Sequence, residues 1–408
     1  MDELKRKRLL MMISGAFIIS FTGFPHMWSI YQPYIIKEIG WSVGPSTISF
    51  YLAIVFFVIG NIIGGRIQDK FSPRIVIFIG GVLFSSGLFL CTTVTSNFPM
   101  AMYIYYGIMQ GFGTGAIYTS VITSAQKWFP DRTGFASGVI IASNGLAGFF
   151  IAPFSKYMLQ TYGVNSAFTV FSIIITIAWI LAFIFVKNPH SGYIEEFSNV
   201  KGLNKETKLH ILDKKQYTTK EMLRSKRYYL LAASMMCSLL AYFTISPISQ
   251  ILQMSRNVPE NIAVMAIMIG SLANASARLI IPTLSDKIGR IKCLFFLVFV
   301  SLVSTGLLIV PGSYTTTIAI IAIYFCYGGI LGIYPALTTA LFGVKHGGEN
   351  YGYVMIGLGI ASVLSPILSA IIPIDLLNGK GLFMLIGIVE SISIILVKKL
   401  QKELNIII

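Results

Sequence analysis

The sequence predicts an all-α membrane protein with twelve transmembrane helices in two pseudo-symmetric six-helix bundles, and three observations carry that prediction. Of 408 residues, 55% are apolar and only 12% charged, with a mean hydropathy of +0.76. A soluble domain of this size carries roughly a quarter charged residues. The apolar residues also fall in runs that approach or exceed the roughly 20 residues needed to cross a bilayer. Finally, the second half of the chain repeats features of the first.

In chain order the candidate spans are 9–36, 44–66, 74–95, 98–124, 134–160 and 164–186, then 227–252, 260–283, 291–311, 314–341, 350–375 and 379–397. Helices satisfy every backbone group internally, which lipid demands of any open-ended span. The domain plan is an N-terminal bundle over 1–187, a linker over 188–226 and a C-terminal bundle over 227–408. The linker is rich in Lys, Glu, Ser and Thr and reads as a solvated connection. Within it, Thr218-Thr-Lys-Glu-Met-Leu carries the pattern of a capped short helix.

Twenty-six of the 31 Lys and Arg residues fall on one side of this topology. By the positive-inside rule both termini and the linker are cytoplasmic, and the expected location is the cell membrane. The same asymmetry accounts for the net charge of +15, so a nucleic-acid partner is not expected. No cleavable signal peptide is expected either, since the apolar run after Arg8 is too long for one. Cys91, Cys237, Cys293 and Cys326 lie singly in apolar stretches and read as small core residues. Without a P-loop, HExxH, GxSxG or a His/Cys cluster, the chain suggests no enzyme, no resident ATPase, no cofactor and no metal.

The repeat is most visible in two charged turns. Gly65-Arg-Ile-Gln-Asp69-Lys70-Phe-Ser-Pro-Arg74 follows the second span, and Pro282-Thr-Leu-Ser-Asp286-Lys287-Ile-Gly289-Arg290 follows the eighth. Later in each half, Gly111-Phe-Gly-Thr-Gly115-Ala-Ile-Tyr118 is echoed by Gly328-Gly-Ile-Leu-Gly332-Ile-Tyr334. Repeated six-span halves with a site between them are the mark of secondary transporters. The charged turns resemble the loop motif of the major facilitator superfamily, departing from it at Ser72 and Pro282. That resemblance implies that Asp69 and Asp286 cap a neighbouring helix end and pair with basic residues. Lys70, Arg74, Lys287 and Arg290 belong to the same latches, with Arg132 or Lys127 as the partner of Asp69.

Arg278 interrupts the eighth span eight residues before Asp286, about 12 Å along a helix. A cation at that depth costs roughly 3 kcal/mol on insertion scales and is expected to face a polar cavity or a counter-charge. The alternative is that it snorkels toward the headgroups, which 12 Å makes an uncomfortable reach. A narrower resemblance rests on Trp28-Ser-Ile-Tyr31, on Gly111 through Gly138, on Arg278 with its charged turn, and on Asn350-Tyr-Gly352. Together these are similar to the oxalate:formate antiporter family, relatives of the monocarboxylate transporters. The resemblance implies that Arg278 binds a substrate carboxylate and that Trp28, Tyr31, Tyr118 and Tyr327 enclose it. Where the oxalate transporters carry a second cation, this chain has Leu358. One guanidinium fork satisfies one carboxylate, so the expected substrate is a monocarboxylate such as lactate, pyruvate or formate. Asn274, one turn before Arg278, stands where the animal carriers have a proton-coupling aspartate, and is expected to hydrogen-bond the site.

His26, beside Trp28, reads either as a proton carrier or substrate contact or as a structural histidine. Glu390, midway along the last span, reads as a buried structural carboxylate in preference to a coupling group. The expected function is therefore a monomeric secondary carrier of a small organic anion, by proton symport or anion exchange. Competing readings are an oxalate or dicarboxylate exchanger, an exporter of drugs or hydrophobic solutes, and a membrane sensor that does not transport.

Overall fold

The computed structural model describes residues 2–41, 43–190, 192–193, 216–372 and 380–405. These residues form helices and their connections, and nine helical stretches among them are long and apolar enough to cross a membrane. The chain divides into two compact units, Met1–Met222 with Thr338–Tyr353, and Leu223–Leu337 with Val354–Ile408.

The first unit begins with α1 (Asp2–Phe21), a 3-10 turn (Phe24–Met27) and α2 (Trp28–Ile39). The first span is thus broken rather than continuous, and Pro25, which has no N–H to give, lies in the break. Two longer helices follow, α3 (Val43–Lys70) and α4 (Pro73–Leu90). The fourth span is a π-helical segment, Tyr103–Gln110, running into α5 (Gly111–Trp128). The fifth and sixth spans form α6 (Thr133–Phe185), bent where Gly163 takes φ 81°. That left-handed backbone suits glycine, and it falls in the connection expected between those spans.

Within this unit α3 packs on α5, α1 on α6, and α4 on both α5 and α6. Glycines allow the closest approaches. A Cβ on Gly111 would lie 2.5 Å from Ala53 O, and one on Gly115 would overlap Phe57 O. The linker ends in α7 (Thr219–Leu223), and its capping pattern is realised. Thr218 N donates to Glu221 Oε2 at 2.8 Å, and Glu221 N donates to Thr218 Oγ1 at 3.3 Å. Residues 194–215, the body of the expected solvated linker, lie outside the described residues.

The second unit contains α8 (Lys226–Ile245), a 3-10 turn (Ser246–Ile248) and α9 (Ser249–Met254). It continues with α10 (Glu260–Ile288), α11 (Arg290–Ile309) and α12 (Ser313–Phe342), whose last turn belongs to the first unit. The helix α13 (Gly347–Val354) lies almost wholly in the first unit, and α14 (Ile356–Ile371) and α15 (Lys380–Asn405) complete the second. There α8 packs on α14 and α15, and α11 packs on α15 and α10.

The end of the linker and the α12–α13 turn are joined within the first unit. Tyr217 N donates to Phe342 O at 2.9 Å, Lys345 N to Gln216 Oε1 at 2.9 Å, and Asn350 Nδ2 to Tyr217 O at 3.1 Å.

Candidate functional site

Arg278 and Asn274 share one face of α10, one turn apart. Arg278 is 4% exposed, and its Nε donates to Asn274 Oδ1 at 2.9 Å. Its guanidinium carbon stands 5.7 Å from the centre of the Tyr327 ring. The glycines of α12 create this meeting. A Cβ on Gly328 would overlap the Asn274 carbonyl oxygen and lie 2.8 Å from its Oδ1, while one on Gly332 would lie 3.0 Å from Arg278 O. The Gly-x3-Gly pattern therefore lets α12 rest on the polar turn of α10, and the residue beside Gly328 is Tyr327.

Behind Tyr327 lies a wall of rings from α8 and α12. Tyr242 stacks on Tyr327 with centroids 3.6 Å apart and planes 7° from parallel. Tyr324 meets Tyr242 edge-on at 5.1 Å and donates its hydroxyl to Ser246 Oγ at 3.1 Å. Tyr242 and Tyr324 escaped the sequence reading. The repeat points to the seventh span as the counterpart of the first, but among 20 tyrosines no local pattern marks these two.

A guanidinium holds five donors in one plane, and Asn274 fixes the orientation of that plane through Nε. Such a group recognises carboxylates through paired N–H donors, and an aromatic face beside it adds cation–π attraction while excluding water.

In the first unit, Trp28 and Tyr31 of α2 enter an aromatic cluster. Trp28 lies 4.6 Å from Tyr106 of the π segment, and Tyr31 stacks on Phe168 of α6 at 4.8 Å. The Tyr31 hydroxyl donates to Ser155 Oγ at 3.4 Å and that of Tyr106 to Phe24 O at 3.0 Å. The buried Trp28 Nε1 and both side-chain polar atoms of Gln110 make no hydrogen bond among the described residues. Gln110 is a second residue that the sequence reading passed over, one turn beyond Tyr106 on the π segment. Tyr118 of α5 packs against Phe57 of α3 at 5.3 Å. The side chain of His26 lies outside the described residues.

The charged turns differ between the two halves. After α3, Asp69 is deeply buried, pairs with Lys127 Nζ at 3.4 Å, and accepts from Glu349 N at 2.8 Å in the first turn of α13. Arg132, offered by the sequence as an alternative partner, pairs with its neighbour Asp131 at 3.7 Å. It lies past the end of α5, whereas Lys127 is still in the last turn. Lys70 reaches over the Phe71 ring at 5.3 Å, and Arg74 Nη2 donates to Ile184 O at 3.0 Å. Ser72, which replaces the motif's glycine, is the N-cap of α4 and accepts from Arg74 N at 3.2 Å. In the second turn Gly289 has φ 100°, so glycine is required there, and Arg290 pairs with Asp286 at 3.0 Å. Lys287 lies exposed in the last turn of α10.

Residues 10–343 match the family model of the Major Facilitator Superfamily. The chain is 28% identical over 363 residues to an uncharacterized MFS-type transporter, YhjX, of Escherichia coli (strain K12), covering 88% of this chain and 87% of the relative. It is 26% identical over 362 residues to the oxalate:formate antiporter of Oxalobacter formigenes, covering 86% and 81% respectively. Among solved structures it superposes on the fucose:proton symporter of E. coli with a TM-score of 0.68 at 13% identity, covering 97% of this chain and 98% of that one. A bacterial homologue of the iron transporter ferroportin gives a TM-score of 0.74 at 11% identity, covering 97% and 99%.

Proposed function

The chain belongs to the major facilitator superfamily, and from that premise we propose that it carries a small organic monocarboxylate, of the lactate, pyruvate or formate type, by alternating access. The observation that supports this most is Arg278, a buried cation mid-span with its plane set by Asn274 and the Tyr327–Tyr242 stack beside it. Anchored this way, it offers a carboxylate paired donors in a setting where charge-assisted hydrogen bonds are strong. Trp28, Tyr31 and Tyr118 are the aromatic residues that the family resemblance assigns to the substrate, and Trp28 Nε1 is a buried donor with no hydrogen bond among the described residues. The excess of Lys and Arg on one side supports cytoplasmic termini, with the Asp69 and Asp286 turns acting as latches on that side.

A second reading is exchange of oxalate or another dicarboxylate, favoured by similarity to the Oxalobacter antiporter. Against it stands buried Leu358, where the resemblance places a second cation. A dianion held by one guanidinium keeps one carboxylate without a counter-charge.

Uptake of labelled lactate, pyruvate, formate and oxalate into proteoliposomes tests both readings. The expected result is uptake of one or more monocarboxylates that Arg278→Ala strongly weakens. Full carboxylate uptake by Arg278→Ala would remove the site, and transport of oxalate alone would select the second reading.

A further inference from the structure

Glu390 lies midway along α15 and, among the described residues, is the only acidic residue inside a candidate span more than one turn from its ends. It is fully buried in the second unit. Ser301 of α11 donates to its Oε1, and Thr305, one turn on, brings a second hydroxyl beside the same carboxyl. Yet Glu390 Oε2 and Thr305 Oγ1 are both buried and make no hydrogen bond among the described residues. From α12 the titratable neighbour is the Cys326 thiol. On the α8 side, Ser393 donates to Ser234 O at 3.0 Å. Among the described residues, no charged group from α8, α11 or α12 faces the carboxyl.

An ionised carboxylate here would be a fully buried charge with hydroxyl donors but no counter-charge among the described residues, which is strongly disfavoured. A proton on the carboxyl removes the charge and supplies an O–H donor, with the Thr305 hydroxyl beside that carboxyl able to accept.

We propose that Glu390, Ser301 and Thr305 form an intramembrane proton-binding site, separate from the Arg278 site, whose proton accompanies the anion through the transport cycle. The coupling half of this statement rests on the carboxylate-carrier reading and names the ion for it. The step is a simple exchange: the acid releases H+ to water on one side, becomes a carboxylate, and takes H+ from the other side. One proton with one monoanion moves no net charge. A physical connection between the two sites runs through α12, where adjacent residues serve both. Cys326 neighbours Glu390, and Tyr327 lies against Arg278. Adjacent residues of α12 thus touch both sites, giving the substrate at Arg278 and the proton on Glu390 one shared helix to bias.

The full-length protein in proteoliposomes gives two readouts. Infrared difference spectra between neutral and alkaline pH should show the C=O band of a protonated carboxylic acid. Glu390→Gln should lack that band, and Ser301→Ala should raise its frequency by removing the donor to Oε1. In transport, an inward proton gradient should drive accumulation of labelled lactate by the wild type, and Glu390→Gln should collapse the ratio of accumulation to exchange. Should Glu390→Gln fail to fold, the Ser301→Ala frequency shift still decides the site. A folded wild type without the band overturns the proton site, and intact proton-driven accumulation in Glu390→Gln overturns the coupling. Accumulation driven instead by a sodium gradient, and lost in Glu390→Gln, would replace the proton with a metal cation. A wild type that moves no carboxylate at all defeats the carrier reading, while the infrared band still decides the proton site.

Discussion

Asn61 of α3 and Arg278 of α10 occupy the same place in their two halves: each lies eight residues before the aspartate of its charged turn. Both are buried, and both sit on a helix approached closely by glycines of a neighbour, Gly115 over Phe57 O in one case and Gly332 over Arg278 O in the other. Their chemistry differs. Asn61 donates to Phe57 O at 2.7 Å and accepts from Thr119, so a neutral amide meets neutral partners. Arg278 brings a full charge and is steadied by a single-turn neighbour, Asn274. The repeat thus supplies the same close helix pairing twice, and the proposed anion site follows from the residue placed on it in the second half only.

The largest effect should come from removing that difference. Arg278→Ala is expected to raise KM for the transported carboxylate about 30-fold or more, since truncating a buried, hydrogen-bonded charge costs about 2–5 kcal/mol. Asn61→Ala should instead cost about 1–3 kcal/mol of stability by leaving Thr119 unpartnered, with KM unchanged. A KM effect of equal size in both would erase the asymmetry. The next largest effect concerns the helix pairing. Gly328→Ala drives a methyl into the Asn274 backbone, and overpacking of this kind costs about 1–3 kcal/mol. A lowered Tm together with weakened uptake is expected, and unchanged values would show that α12 does not hold Asn274 and Arg278 in place. The smallest effect sharpens the role of the aromatic wall. Tyr327→Ala should weaken uptake about 2- to 30-fold, in line with a cation–π contribution of about 0.5–2 kcal/mol. Tyr327→Phe, which keeps the ring, should stay close to wild type.

Much of this was legible because lipid imposes simple rules. Length and apolarity mark spans, charge marks loops, and Arg278 stood out as a cation about 12 Å inside an apolar run. The glycine patterns at 111–115 and 328–332 also announced close helix approach before any partner was visible. What hydropathy misses is the manner of hydrogen bonding. The π turn at Tyr103–Gln110 and the break at Phe24–Met27 expose no more polar backbone to lipid than an α-helix or a packed turn would. Tyr242 and Tyr324 were hidden for another reason, since ring stacking is set by contacts between distant helices. The choice between Lys127 and Arg132 as the Asp69 partner depended on where α5 ends, and boundary residues are what sequence patterns define least.

The π segment also sets the rotational phase of everything after it. A wide turn of this kind accommodates one residue more than an α-helix would, and each residue turns an α-helix by about 100°. Were the same residues wound as regular α-helix, Gly111 and Gly115 would turn about a quarter-turn away from Ala53 and Phe57, whereas deleting Gly107 would remove the extra residue and leave their phase as it is. The irregular turn is therefore a phase correction.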